Sequence, residues 1–288
     1  MKTNLAIICV LAQSIIYGFG DPISKYAFEI IPVYPALVSR YLIASIFLLL
    51  IAYKPIWQRL RSDKIQPLLL PSVCIGLAYL VGNVAITLTE ATTVAFLRSL
   101  TVVFTPILAF VFYKIPYSWK HAPILVFIVI GLYLLCGMAE NGLTHIGWGE
   151  ILSLASALLI AGALVFGQKA LSKSNPLTLT AVQTFVTTAV VILAACFVPQ
   201  GFQTGSGTLT AWSIIVYIAI ACTVGGYLLQ NTALEYISSR SVALIQCICP
   251  VLTAFFSYII LGETLSFLGL VGAILILISI VAETIIQK

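Results

Sequence analysis

Apolar residues run along this chain in stretches of about 20, interrupted by short groups of proline, glycine and charge. A helix needs roughly 20 apolar residues to cross the hydrocarbon of a bilayer. Dividing the chain at the interruptions predicts ten spanning helices, at 4–27, 34–53, 67–88, 91–113, 121–139, 147–170, 177–198, 210–233, 240–261 and 266–286. The connections are short, the longest being the polar stretch from Gln200 to Thr208 and a basic segment after the second helix. The expected fold class is an all-α polytopic membrane protein. No small-x-small cleavage pattern follows the run from Leu5 to Leu11, so an uncleaved first helix is expected rather than a signal peptide.

Composition agrees with the pattern. Of the 288 residues, 61% are hydrophobic and 8% charged, with mean hydropathy +1.13, whereas soluble domains carry about 25% charged residues. The net charge of +5 would suit nucleic acid, but the basic residues flank apolar spans, where they report orientation instead. Lys2, Lys54, Arg59, Arg61, Lys64, Lys114, Lys120, Lys169, Lys173, Arg240 and Lys288 fall on one side of a ten-span topology, and the other side holds little beyond Lys25. This predicts a cytoplasmic-membrane protein with both termini in the cytoplasm and the lipid bilayer, not nucleic acid, as its surroundings. The seven cysteines include no C-x-x-C pair, and Cys247 and Cys249 point to different faces of a helix, so neither metal nor cofactor is expected. Trp57, Trp119, Trp148 and Trp212 fall near predicted interfaces, as an aromatic belt would.

Sliding the chain by 148 residues superimposes helices three to five on helices eight to ten without a gap. Cys74 meets Cys222, Tyr79 meets Tyr227, Asn83 meets Asn231, Thr105 meets Thr253 and Ser118 meets Ser266. At 144 residues, Gly18, Lys25 and Pro32 meet Gly162, Lys169 and Pro176. Five spans is an odd number, so two such halves, 1–142 and 143–288, would enter the membrane in opposite senses. Inverted repeats of this kind recur in secondary transporters, where elements rock around a midplane site.

These residues resemble the drug/metabolite transporter superfamily, in particular its EamA-type ten-helix members, over essentially the whole chain. The resemblance rests on Tyr17-Gly18 followed by Lys25, on Arg40, on Pro250 followed by Gly262-Glu263, and on the stretch from Gly147 to Leu154. The first half departs from it where Val102 replaces the proline and Lys114-Ile115 replaces Gly-Glu. The resemblance implies a basket-like bundle around a central cavity, and often an exporter of amino acids or related metabolites.

Charge inside hydrocarbon is costly, so embedded ionisable groups are the first candidates for function. Asp21, Arg40 and Arg98 are predicted to lie at one depth, with Asp21 paired to Arg98 or Arg40. That group would gate one mouth or hold a substrate carboxylate through a spare guanidinium; a structural ion pair or arginine snorkelling is the alternative. Tyr79/Asn83 and Tyr227/Asn231 each share a helix face at a spacing of four, lining a cavity or bonding neighbouring helices. Tyr17, Gln13, Gln230 and Gln246 are further cavity candidates. Pro22, Pro106 and Pro250 are candidates for kinks. Glu90, Glu150, Glu235 and Glu263 are expected at solvated helix ends, as are His121 and His145.

The expected function is secondary transport of a small-molecule substrate, most specifically export of amino acids or related compounds. Coupling to H⁺ or Na⁺, facilitated diffusion and a homodimeric assembly are left open. A lipophilic-cation exporter would favour Asp21 but be opposed by Arg40 and Arg98; a membrane scaffold would have a sealed apolar interior. No phosphate-loop, H-E-x-x-H or G-x-S-x-G motif is present, which disfavours ATP-driven transport and intramembrane hydrolysis.

Overall fold

The computed structural model describes residues 2–62, 65–115, 122–135, 147–199, 201–203, 207–264 and 266–286. Lys64, Ser118, Trp119, Lys120, His121, His145, Gln200 and Lys288, named above, lie outside the described residues. Every regular element among the described residues is a helix.

In chain order these are α1 (Lys2–Ile30), α2 (Val33–Ser62), α3 (Gln66–Ile86), α4 (Ala91–Ser99), α5 (Thr101–Tyr113) and α6 (Ala122–Leu135). The second half contains α7 (Trp148–Leu171), α8 (Pro176–Cys196), α9 (Leu209–Tyr217), a π-helical segment (Ile218–Gly225) and α10 (Gly226–Tyr236). It ends with α11 (Ser239–Ile245), a 3₁₀ turn (Gln246–Ile248), α12 (Cys249–Leu261) and α13 (Phe267–Ile286). Eight stretches are long and apolar enough to cross a membrane, and the fifth and tenth predicted spans correspond to shorter apolar stretches, Ala122–Gly131 and Phe267–Ser279. The protein is an all-α polytopic membrane protein. Large apolar side chains such as Leu50, Phe197, Leu209 and Phe267 stand exposed around it, as they would against lipid.

The two halves of the chain interleave. α1 packs on α12 and α10, α3 packs between α7 and α8, and α6 packs on α13. Gly18 permits the first of these contacts, since a Cβ there would stand 2.5 Å from the Leu252 Cβ.

Three departures from straight helices bear on function. The predicted fourth span divides at Leu100, where the Thr101 hydroxyl donates to the Arg98 carbonyl at 2.7 Å and the ladder is interrupted. The predicted ninth span breaks at Gln246, because Pro250 has no N–H to offer the carbonyl four residues earlier and a 3₁₀ turn takes its place. The predicted eighth span contains a π segment in which the Thr223 hydroxyl donates to the Ile218 carbonyl five residues back. α1, by contrast, continues through Pro22 as one helix. The second predicted span is longer than expected, reaching Ser62 across non-helical backbone at Ala52.

Lys114 and Gly262, aligned by the 148-residue offset, cap α5 and α12 with the same left-handed backbone, φ 56° and 70°. In both caps the following N–H, of Ile115 or Glu263, reaches six residues back. Glycine adopts this conformation freely, whereas a side chain costs about 1–2 kcal/mol. Lys114→Gly is therefore expected to stabilise the folded protein by about 1 kcal/mol, read as a higher melting temperature in detergent; an unchanged or lower value would contradict the assigned cap.

Candidate functional site

The helix interruptions place polar groups on a chamber between α1, α2, α3, α4, the π segment, α10, α11 and α12. It has two lobes that share Tyr17, Asp21, Tyr79 and Arg98. The smaller, of about 10 Å³, adds Ser24, Arg40, Asn83 and Cys222; the larger, of about 60 Å³, adds Ser14, Ser99, Thr101, Gln230, Gln246 and Cys249 among others.

In the arginine lobe, Asp21 pairs with Arg98 and not with Arg40. Arg98 Nη1 lies 3.3 and 3.4 Å from the two carboxylate oxygens. Asp21, Arg40 and Arg98 all line this lobe. Arg40 is only 4% exposed and donates through Nε to the Thr223 hydroxyl at 2.9 Å. That bond depends on the π segment, which turns Thr223 toward α2. The Tyr79 ring lies between both guanidinium groups, with Arg40 and Arg98 Cζ at 5.9 and 5.4 Å from its centroid, and Arg40 also lies 5.2 Å from the Tyr41 ring. Tyr17 and Tyr227 flank Tyr79 with centroids at 6.1 and 5.5 Å. Gly226 makes room for Tyr17, because a Cβ there would come within 2.5 Å of the ring.

Gln230 and Gln246 line the other lobe, and Gln13, expected on the cavity, is instead fully buried behind them. Gln13 Nε2 donates to Gln230 Oε1 at 2.9 Å, and Gln246 Nε2 donates to Gln13 Oε1 and Gln230 Oε1, each at 3.0 Å. Each carboxamide thereby links α1, α10 and the turn after α11.

The duplicated Tyr/Asn pairs do not share one environment. Asn83 lines the arginine lobe while its amide donates to the Tyr79 carbonyl at 2.7 Å. Asn231 is fully buried and donates to Thr180 and Gln183 on α8, at 3.0 and 2.7 Å. Its expected place on the cavity is corrected: it joins α10 to α8. Tyr227 stands behind Tyr79 at 1% exposure, supporting the wall.

The chamber's two ends differ. At the end bearing Lys25, Glu263 is held by Lys25 at 3.1 Å, by the Thr92 hydroxyl at 2.8 Å and by the N–H groups of Ala91 and Thr92. Lys25 also donates to the Thr89 carbonyl, and the Thr89 hydroxyl donates to Glu150 at 2.8 Å. This network ties α1, the start of α4, the start of α7 and the end of α12 across the mouth. At the end bearing Lys2, a cavity of about 340 Å³ is lined by Tyr113, Gln168, Lys169 and Ser239 with apolar neighbours. It follows α5, α7 and α11, the same helices that carry Thr101, Ile160 and Ala243 to the chamber.

Glu263 was expected at a solvated helix end, yet its side chain is only 15% exposed and is the centre of this network. Lys25 and the Gly262-Glu263 pair were visible as separate motifs of opposite charge on one side of the topology, and that was the available signal. Thr223 carried none, because its role depends on one extra residue in a helical turn. Ser24, Ser99, Cys222 and Cys249 were likewise not anticipated.

Burial alone would push the Glu263 carboxyl up, but hydrogen bonds from Thr92, Lys25 and the Ala91 N–H outweigh it and hold the group below its ordinary value. A depressed carboxyl stabilises the folded state fully above its unfolded value, about 4.3, and loses that contribution as pH falls through the native value. Glu263→Gln is expected to cost about 1–3 kcal/mol at neutral pH, with the deficit relative to wild type shrinking below about pH 4. Thermal unfolding of both proteins across pH tests this; a deficit independent of pH would assign the effect to packing.

The model of the EamA-like transporter family matches residues 4–137 and again residues 147–283. An uncharacterised transporter from Archaeoglobus fulgidus is 26% identical over 271 residues, covering 93% of this chain and 82% of its own. The threonine/homoserine exporter RhtA of Escherichia coli K12 is 26% identical over 268 residues, 90% of this chain and 84% of its own. An uncharacterised transporter of Bacillus subtilis is 28% identical over 287 residues, 97% of this chain and 91% of its own. A solved crystal structure shares the fold with a TM-score of 0.79 at 13% identity, covering 98% of this chain and 96% of the other.

Proposed function

The chain belongs to the EamA-like transporter family, and from that premise we propose that it is a secondary transporter that exports an amino acid or a related small metabolite by alternating access. Two five-helix halves, 1–142 and 143–288, lie inverted about the chamber. The Lys2 end faces the cytoplasm, together with both termini, and the Lys25 end faces outward. The observation that carries the reading is a charged, hydrogen-bonding chamber inside an apolar bundle, with the Lys25–Glu263 network toward one end and a separate cavity of about 340 Å³ toward the other. A substrate would enter past Lys169, bind between the arginines and glutamines, and leave once the Glu263 network opens. The exporter RhtA, similar over most of both chains, supports an amino acid as cargo.

A lipophilic-cation exporter fits less well. The chamber's one carboxylate, Asp21, is already neutralised by Arg98, and Arg40 adds a further positive charge. A scaffold has no use for a buried polar chamber of this kind, since desolvating such groups lowers stability.

Two measurements test the proposal. Liposomes containing the purified protein should release labelled amino acids faster than protein-free liposomes, with a pH or Na⁺ gradient changing the rate if that ion is coupled. In a variant retaining only Cys249, a membrane-impermeant thiol reagent should label from the cytoplasmic side, and adding Glu263→Gln should increase labelling from the outside. Release no faster than from protein-free liposomes, with Cys249 reached from neither side, would end the reading.

A further inference from the structure

Resting on the transporter reading, we propose that the chamber selects substrates that enter as net anions: organic acids whose amino group is absent, acylated or offset by a second acid. The arginine lobe is their carboxylate pocket.

The charge count leads there. Arg40 and Arg98 each contribute one positive charge and Asp21 one negative, leaving the chamber one positive charge in excess. The other titratable side chains lining it, Tyr17, Tyr79, Cys222 and Cys249, are phenols and thiols, which add no further carboxylate or amine. Arg40 has no carboxylate within ion-pairing distance among the described residues; its partners are the neutral Thr223 hydroxyl and two aromatic faces. A buried lysine could discard its proton, but a guanidinium cannot, so its charge needs a counter-ion. It stands in the bundle at 4% exposure and lines a cavity of about 10 Å³, room for about one water molecule, that is continuous in its lining with the larger lobe.

The surplus of donors points the same way. The Nε2 of Gln230 is buried without a hydrogen-bond partner, and the hydroxyls of Tyr17, Tyr41 and Tyr227 are buried with no partner beyond one another, Tyr79 and Gln13. Tyr17 lines both lobes and Gln230 the larger, while Tyr41 and Tyr227 stand beside Arg40. A carboxylate only accepts, through two oxygens with about four acceptor sites. An ammonium group, in contrast, would find one carboxylate, Asp21, already committed to Arg98, and otherwise neutral acceptors such as the hydroxyls of Ser14, Ser99 and Thr101. A plain zwitterion therefore satisfies one end of the chamber and leaves its own positive charge poorly matched; the N-acylated acid does not carry that penalty.

The ligand series that tests this is threonine, N-acetylthreonine and threonine methyl ester, offered to the solubilised protein in calorimetry and to protein-containing liposomes in efflux. N-acetylthreonine is expected to bind about 10-fold or more tighter than threonine, and the ester not to bind measurably. Arg40→Gln is expected to weaken N-acetylthreonine by about 10–100-fold, the range of a hydrogen bond to a charged group, with Arg40→Lys recovering part of the loss. Should Arg40→Gln fail to fold, the ligand series on the unaltered protein decides alone. If threonine or its ester bound as tightly as the acetylated acid, or if folded Arg40→Gln bound it unchanged, net-anion selection would be refuted while the exporter reading survived on threonine efflux. If none of the three bound or moved, both would fall.

Discussion

Two guanidinium groups and one carboxylate line a chamber inside an apolar helical bundle, the carboxylate pairing with only one of them, and most of the chamber's architecture answers that imbalance. A guanidinium keeps its charge under any ordinary condition, so a structure that buries two of them must surround them with acceptors, dipoles and aromatic faces. Asp21 neutralises Arg98 directly. Arg40 is held by less: one hydroxyl that reaches it through a π turn, and the faces of Tyr41 and Tyr79. Tyr79 lies between both cations, and Tyr17 and Tyr227 fix its ring from either side. The glycines serve the same arrangement, Gly226 by leaving space for Tyr17 and Gly18 by drawing α1 onto α12. Substituted by larger residues, these positions would move the aromatic wall rather than merely loosen the bundle.

Broken helices are the means by which a hydrophobic sequence presents polar groups at that depth. A continuous helix satisfies its own backbone and offers only side chains, whereas a 3₁₀ or π interruption re-aims side chains and frees carbonyl groups. The breaks at Leu100 and Gln246 fall where the two halves face each other across the chamber, and each lies beside the polar residue it serves, Arg98 in one half and Gln246 in the other. The π segment does the same for Thr223. Membrane helices tolerate these defects because neighbouring side chains restore the lost hydrogen bonds, as Thr101 does in bonding both the Arg98 and Ala157 carbonyls.

Hydropathy made the helical class, the positions of most spans and the embedded charges legible in the sequence, because lipid imposes a length and a polarity that water does not. The convergence of Asp21, Arg40 and Arg98 followed from counting residues along antiparallel helices. What could not be read were features that depend on the path of the backbone within a span: the interruption at Leu100, the extra residue behind Thr223, and the continuation of α1 through Pro22. Asn83 and Asn231 are identical in type and equivalent in offset, yet one lines the chamber and the other joins α10 to α8. Sequence symmetry fixed their helix faces but not the neighbours those faces meet. Lys114 and Gly262 teach the converse, since their sequences differ and their backbone conformation does not.

The short helix α4 is where binding and closure meet. Its first residues, Ala91 and Thr92, are held by Glu263, and its penultimate residue, Arg98, is held by Asp21 in the chamber. About 9 Å of helix separates Thr92 from Arg98 at 1.5 Å per residue, a single rigid rod with the Leu100 break at its far end. Under the proposed function, a carboxylate entering the arginine lobe would compete with Asp21 for Arg98 and supply Arg40 with a counter-charge. A change at Arg98 would then be delivered along α4 to the residues that Glu263 grips, so that the chamber and the Glu263 network would act on one element. Binding energy can shift a conformational equilibrium only through contacts that differ between the two states. In this chain the Arg98–Asp21 ion pair and the hydrogen bonds from Ala91 and Thr92 to Glu263, at opposite ends of α4, would be the contacts placed to differ.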